Sequence, residues 1–373
     1  MDVLIVGGGI IGSSIAFELA KRETSVVVIE RGELAQEASS AAAGMLGAHS
    51  EFSADHPLIP LALASQAAFP TVIAELRELT NIEIGWNEAG MLKLATTMEE
   101  YEKLTEHYEF WRRVQLTHVR WLTVDEVAQI EPHVQNEYGA MYTLDQQVDA
   151  KQLSLAFAHG AMAKGARFLP YTEVYDFIFE RERVVGVKTT SGPIYAKQIV
   201  IACGAWTSML AEKLRLSLHM YPVKGECVSV TTETPLLQTT VFAKNGCYIV
   251  PKANNRLVIG ASAIAHSFAK TVQTCSVQQL LARAMQIVPA IAHSTFEKAW
   301  AGIRPQTKDG TPYIGAHPQY ENVFVVTGHY RNGILLSAIT GRIVSDMIER
   351  KEIPFDITPF SLTRKGEGHA LHH

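Results

Sequence analysis

Cysteine is scarce and scattered: the 373 residues hold four, Cys203, Cys227, Cys247 and Cys275, with no Cys-x-x-Cys pair and no Cys/His cluster. That spacing excludes a sequence-encoded zinc site or dithiol centre and leaves four small thiols. Charge of one sign is missing as well. Thirty-three Lys and Arg stand against 38 Asp and Glu, a formal charge of -5, which gives nucleic acid no electrostatic footing. The apolar opening stretch, residues 3–11, has no basic flank and is broken by three glycines. It is far shorter than the roughly 20 residues of a spanning helix, so it reads as buried strand and turn and predicts a cytoplasmic protein with no membrane partner. No internal repeat or low-complexity linker separates the chain into obvious pieces.

What is present describes a soluble globular protein, 47% apolar and 19% charged, long enough for two hydrophobic cores. Residues 3–6 (Val-Leu-Ile-Val) and 26–29 (Val-Val-Val-Ile) are continuous apolar runs of strand length, the pattern of parallel strands buried on both faces. Between them a helix starting near Ile10 sets Ile11, Ile15 and Leu19 at i, i+4 spacing. Further on, Asp149 and Gln152 form a capping pair for a helix that runs to about Lys164 and stops at Gly165. Short strands around Val184–Lys188 and Gln198–Ala202 are assigned to the same sheet. Residues 84–95, 139–144, 222–231 and 246–263 alternate in the strand manner, with a turn at Ala253-Asn254-Asn255, and predict a mostly antiparallel second sheet with helices over 99–113 and 277–287. The expected fold is α/β: a Rossmann-like dinucleotide domain from residues 1–80, 145–215 and 300–365, and an α+β substrate domain from 81–144 and 216–299. Residues 366–373 are set aside as a tail.

Gly7, Gly9 and Gly12 stand in GxGxxG spacing between strand and helix. The first permits the tight turn, the second lets backbone approach a pyrophosphate, and the third allows close helix–strand packing, so phosphates sit on the helix N-terminus. Glu30, with Arg31 after it, ends the second strand where a carboxylate can accept from a ribose 2′-OH. The small-residue run Ser39-Ser40-Ala41-Ala42-Ala43-Gly44-Met45 suits backbone lying against a long extended cofactor, although it also suits a helix start. Apolar strands at 199–203 and 322–328 end in the glycine turns Gly204 and Gly328, and the second leads into His329-Tyr330-Arg331-Asn332-Gly333-Ile334-Leu335 and a helix expected to begin at Gly333. A helix terminus there would favour the negative charge of a reduced flavin.

Together with Pro222–Cys227, Cys247–Pro251, Trp300–Pro305, Thr307–Gly310 and Ser40–Gly47, these segments resemble the glycine oxidases of the bacillus type, within the D-amino-acid oxidase and sarcosine oxidase superfamily, nearly end to end. The resemblance implies a glutathione-reductase-like FAD domain and oxidation of glycine and small or N-substituted amino acids. Dioxygen would give hydrogen peroxide, in a thiamine-pathway homotetramer. It implies that Arg304 clamps the substrate carboxylate, that Tyr248 adds a hydroxyl and that Arg331 lies nearby, with Gly47, Gly246 and Ala263 around the substrate. Backbone at Ile10, Ile11, Ala43, Gly44, Met45, Val174 and 329–335 would touch FAD. Taken alone, Arg304 reads first as a structural or surface arginine, and Tyr248 has a core tyrosine with a satisfied hydroxyl as its other reading. Gly246 and Ala263 stand where the bacillus pattern carries histidine and methionine, which opens space for a larger N-substituent. No cysteine follows Cys275, which favours non-covalent FAD. His49, His329 and Lys224 are the side chains considered as acid or base, each with a structural reading beside it. A sarcosine oxidase or D-amino-acid dehydrogenase, and a flavin-binding module without catalysis, remain as alternatives.

Overall fold

A computed structural model describes residues 1–114, 118–243 and 246–364; the tail set aside at 366–373 lies outside them. The first sheet has six strands in the order Tyr313–Ala316, Val323–Thr327, Gln198–Ile201, Val3–Val6, Val26–Ile29, Arg167–Leu169. All neighbours are parallel except the hairpin at 313–327. Alternate residues explain why its strands are apolar throughout. Val3, Ile5, Val26 and Val28 face a core under the helices Ile10–Lys21, Ile59–Thr80, Ala150–Ala163 and Ser337–Ile348, whereas Leu4, Val6, Val27 and Ile29 face a second core on the opposite side.

That opposite side is covered by a separate antiparallel sheet, Val174–Glu180, Arg183–Thr189 and Gly192–Tyr195. The strand at 184–188 is therefore corrected: it belongs to this meander, because short turns at 181–182 and 190–191 pair it with its chain neighbours before it can reach the parallel sheet. Asp149 does cap its helix, accepting from Gln152 N at 3.0 Å, and Gly165 ends it at φ +97°. Among the described residues one helix, Ile59–Thr80, is long and apolar enough to cross a membrane by length and composition. Pro70 lies within it, and Leu61, Phe69, Ile73 and Leu76 are buried in the first core.

The second large sheet has nine strands. Eight run in the order Ile264–Ala265, Met220–Thr231, Arg256–Gly260, Tyr248–Lys252, Thr240–Phe242, Met91–Leu94, Ala140–Thr143, Val119–Leu122, with Thr295–Thr307 paired along Met220–Thr231. Only 240–242 against 91–93 is parallel. Residue 300, expected as a domain boundary, falls inside a strand that pairs with Met220–Thr231 from Thr295 to Thr307, with one bulge at Glu297. The boundary is misplaced because the change from one sheet to the next comes after Thr307, in the turn before Tyr313. One face of this sheet packs Val228, Ile249 and Ile259 against the helix Thr274–Ile287 through Leu280 and Ala284. The other face looks toward the parallel-sheet domain.

The turn after Thr307 is pinned by one buried ion pair. Arg364 donates to Asp309 through Nε at 2.6 Å and Nη2 at 3.0 Å, reaches the carbonyls of Thr311 and Pro312, and stacks on Tyr313 at 3.7 Å. Burial raises the Asp309 carboxyl, but the Arg364 hydrogen bonds and charge, helped by Thr311 N–H, outweigh it and hold the pKa down at about 2. Stability from this pair is therefore complete above the unfolded carboxylate pKa of ~4 and is lost as pH falls toward 2. Arg364→Ala is expected to cost about 3 kcal/mol at pH 7, and the melting-temperature gap between wild type and Asp309→Asn to shrink below pH 4. A gap unchanged from pH 7 to 2.5 would contradict the assignment.

Candidate active site

The glycine turn works as its spacing implies. Gly7 has φ +115°, and a Cβ there would overlap the Ala202 carbonyl of the neighbouring strand; a Cβ on Gly12 would overlap the Gly7 carbonyl. Glu30 accepts from Gly8 N at 2.8 Å and Gly32 N at 3.0 Å, so its carboxylate is held at the strand end with lone pairs left for hydroxyl donors. Ser39 Oγ accepts from Ile10 N at 2.9 Å in the first turn of the helix.

A cleft of about 350 Å³ opens at these residues. Among the expected cofactor residues, Gly7, Gly9, Ile10, Ile11, Glu30, Arg31, Ser39, Val174, Gly204, His329, Tyr330, Arg331, Gly333 and Ile334 line it. Gly12 packs beneath the turn, Asn332 is buried and donates N–H to His329 O at 2.8 Å, and Leu335 sits in the core. Ala43 and Met45 join an apolar patch with Val250, Val258, Tyr248 and Trp300, and Gly44, at φ +86°, accepts from Val148 N at 2.8 Å. The helix expected from Gly333 begins at Ser337 instead. Residues 333–336 form turns in which Leu336 N bonds to Asn332 O, so the terminus is offset by one turn.

The cleft also has walls that motif reading missed. Trp206 stacks on the Arg31 guanidinium at 3.9 Å, and Thr172, Tyr175 and Cys203 join them. Trp206 directly follows the Gly204 turn, which was the available signal. Burial pushes the Cys203 thiol up to about 12, so it is a neutral wall rather than a nucleophile.

The residues expected to meet substrate lie on the face of the nine-stranded sheet turned toward the cleft. Cross-strand register runs Trp300–Cys227–Gly260–Tyr248–Phe242–Lys93, which puts these residues in one row on one face. Gly225, Gly302 and Arg304 lie on the same face two and four residues along. Glycine there makes room. A Cβ on Gly225 would overlap the Arg304 guanidinium, and one on Gly260 would overlap the Tyr248 ring and hydroxyl. Arg304 thus lies along the sheet, donating Nη1 to Ser262 O at 3.2 Å, while the Tyr248 hydroxyl sits 3.5 Å from Cys227 Sγ. Burial raises the Tyr248 pKa, against the lowering fields of Arg304 and Arg331, so the phenol keeps its proton and remains a donor.

Of the remaining expected residues, Gly47 leads into the short helical turn Ala48–Glu51. Gly246 is exposed at φ +74° with nothing within 4 Å of a Cβ position, and Ala263 is exposed beside Ser262. His49, His329 and Lys224 are all engaged: with Asp145 at 2.7 Å, with Thr340 Oγ1 at 3.2 Å, and with Glu226 at 2.8 Å on the opposite face. Burial lowers the His329 ring to about 4, which keeps it neutral.

Three charged residues went unread. Glu51 lies 3.4 Å from Arg331 Nε, and Lys93 donates to Ser50 O at 2.8 Å. Asp145, fully buried, accepts from His49 N, Ser50 N, Gln66 Nε2 and Thr143 Oγ1. A lysine inside the apolar strand Met-Leu-Lys-Leu was the one visible sign.

A family model described as FAD dependent oxidoreductase, DAO, matches residues 2–347. A curated glycine oxidase of Geobacillus kaustophilus is 53% identical over 97% of each chain. The crystal structure of glycine oxidase from Geobacillus kaustophilus superposes with a TM-score of 0.95 at 52% identity, covering 98% of both chains. The bifunctional protein ThiO/ThiG of Synechocystis is 33% identical over 97% of this chain and 54% of its own length.

The geometry makes Gly225 a sensitive position. Gly225→Ala is expected to displace the Arg304 guanidinium and raise the Michaelis constant of a carboxylate substrate about tenfold, some 1.4 kcal/mol, with flavin content unchanged. Steady-state kinetics beside flavin absorbance checks this, and an unaltered Michaelis constant would show that Arg304 does not depend on the bare backbone.

Proposed function

This chain belongs to the DAO family of FAD-dependent oxidoreductases, and from that premise we propose that it is a glycine oxidase, acting on glycine and small N-substituted or D-amino acids such as sarcosine and D-alanine. The observation that carries the reading is the pair Arg304 and Tyr248, laid flat over Gly225 and Gly260 on the sheet face turned toward the cofactor cleft.

The residues present fit FAD. Glu30 would hold the ribose, the N-terminus of the helix Ile10–Lys21 and the turn at Gly7–Gly9 the pyrophosphate, and the 329–334 segment the flavin end of the cleft. Bound there, FAD would supply the two-electron oxidation of the substrate Cα–N bond with dioxygen as final acceptor, so that amino acid, dioxygen and water would give a 2-oxo acid, ammonia or amine and hydrogen peroxide. The chain supplies position and field. Arg304 offers a planar fork to the α-carboxylate, a geometry that lysine does not reproduce. Tyr248, protonated, donates to the same carboxylate. Val250, Val258, Met45 and Trp300 form a dry wall behind it, which strengthens both interactions by excluding water. None of His49, His329 and Lys224 is placed as a general base, each being held by its own partner. The amine is proposed to lose its proton before or during binding, with orientation as the protein's main contribution.

The open surroundings of Gly246 and Ala263 favour extending the range to N-substituted glycines. The proposal includes non-covalent FAD, consistent with a neutral Cys203 as the cysteine in the cleft wall. It also includes a cytoplasmic homotetramer without nucleic-acid or membrane partners. A place in thiamine biosynthesis is supported by the ThiO/ThiG relative.

Peroxide release across glycine, sarcosine, N-ethylglycine, D-alanine, D-proline and L-amino acids tests the reading. Glycine and sarcosine are expected among the best substrates, and strong L-amino-acid turnover with none on glycine would overturn it. Arg304→Ala is expected to raise the Michaelis constant about 100-fold through loss of a charge-assisted pair, with FAD still bound. Unchanged kinetics would remove Arg304 from the site.

A further inference from the structure

Two guanidiniums act on the Tyr248 hydroxyl, Arg304 from the sheet and Arg331 from the cofactor side, and both oppose the upward shift that burial gives it. They are not equivalent. Arg304 donates to a neutral carbonyl, Ser262 O, whereas Arg331 faces the Glu51 carboxylate at 3.4 Å, and that charge strengthens its hold on its proton. A pocket with two cations could receive two anionic groups; here one of the cations already has its anion.

Glu51 is held at that post. It ends the short helical turn Ala48–Glu51, which closes through Glu51 N to Gly47 O at 3.0 Å. The buried Asp145 carboxylate takes His49 N at 3.1 Å and Ser50 N at 2.7 Å at one end of the turn, and is itself fixed by Gln66 and Thr143. At the other end Lys93 donates to Ser50 O at 2.8 Å. Lys93 is in the Tyr248 row, two strands away, about 10 Å along the sheet. The Glu51 charge also supports the charged form of Lys93, against burial and Arg331, which together lower that amine to about 8. Glu51 is thus the anion between two cations beside the substrate face, on a turn tied down at both ends.

We infer that Glu51 is a specificity-determining residue: by occupying Arg331 it leaves Arg304 as the receptor for a single carboxylate and selects monocarboxylate amino acids against those carrying a second acidic group. This rests on the site reading given above. A second carboxylate approaching Arg331 in the wild type meets Glu51 as a like charge; with Glu51 neutral it meets Arg331, backed by Lys93. The Glu51→Gln enzyme would then oxidise N-(carboxymethyl)glycine by the same reaction. The diacid, dioxygen and water give glyoxylate, glycine and hydrogen peroxide, the two electrons leaving the Cα–H and reducing dioxygen.

The test uses two inert ligands of one skeleton, methoxyacetate with one carboxylate and diglycolate with two, titrated into the FAD-loaded enzyme by flavin difference spectra and as inhibitors of glycine turnover. Wild type is expected to bind methoxyacetate more tightly. Glu51→Gln should tighten diglycolate about tenfold, the worth of one charge-assisted hydrogen bond, move methoxyacetate less than about threefold, and raise kcat/KM for N-(carboxymethyl)glycine relative to glycine. Adding Arg331→Met should abolish the gain. Equal shifts for both ligands, or a gain that survives Arg331→Met, would overturn the inference. Should Glu51→Gln fail to hold FAD, the wild-type comparison decides by itself, since diglycolate bound the more tightly there would overturn it. Arg304→Lys, run alongside, separates the two levels. If it leaves methoxyacetate binding unchanged, the site reading has failed; if it weakens methoxyacetate while Glu51→Gln changes no ratio, only the specificity inference has.

Discussion

The substrate side of this molecule depends on the missing Cβ atoms of Gly225 and Gly260. A long guanidinium and a phenol on a β-sheet ordinarily stand away from the backbone among neighbouring side chains. Here the cross-strand positions beneath them are bare, so Arg304 and Tyr248 lie along the sheet, and a Cβ at either glycine would fall on the side-chain atoms themselves. Gly302 continues the bare strip on the same face and lets Ala41 pack closely against it. The carboxylate receptor proposed for Arg304 and Tyr248 is thereby a layer of side chain on backbone, with the cofactor cleft opposite.

Setting two cations around one phenol requires compensation, and the structure distributes it unequally. Arg304 is matched by a carbonyl and, in the proposed reading, by the substrate carboxylate; Arg331 is matched internally by Glu51. The carboxylates at work behind the pocket, Asp145 and Glu226, are saturated with donors and keep the turn and the strands in place. Lys224 and Glu226 neutralise each other on the far face of the same strand that carries Gly225. In the proposed reaction such an arrangement contributes preorganised position and field.

What could be read in the chain, and what could not, divides by distance along it. The turn at Gly7, Gly9 and Gly12 and the acidic end of the second strand are local, so spacing alone conveys their mechanics. Alternating apolar runs likewise conveyed two sheets. The strand at 184–188 reads as part of the parallel sheet rather than of the meander at 174–195, because a short apolar strand does not state its partner. Arg304 and Tyr248 were named through resemblance, but the reason they can lie flat was hidden. Gly225 becomes the neighbour of Arg304 only once register joins strands tens of residues apart, and Gly260 meets Tyr248 only through the register of the hairpin between them. Glu51, Lys93 and Asp145 escaped for the same reason, since each looks like an ordinary charged residue until residues 51, 93, 145 and 331 are brought together.

The most direct measurement is a crystal structure of the FAD-loaded enzyme with methoxyacetate bound. The carboxylate is expected in the fork of Arg304 with the Tyr248 hydroxyl donating to it, while Arg331 stays on Glu51. A carboxylate bound to Arg331, with Arg304 still turned to Ser262, would contradict the account.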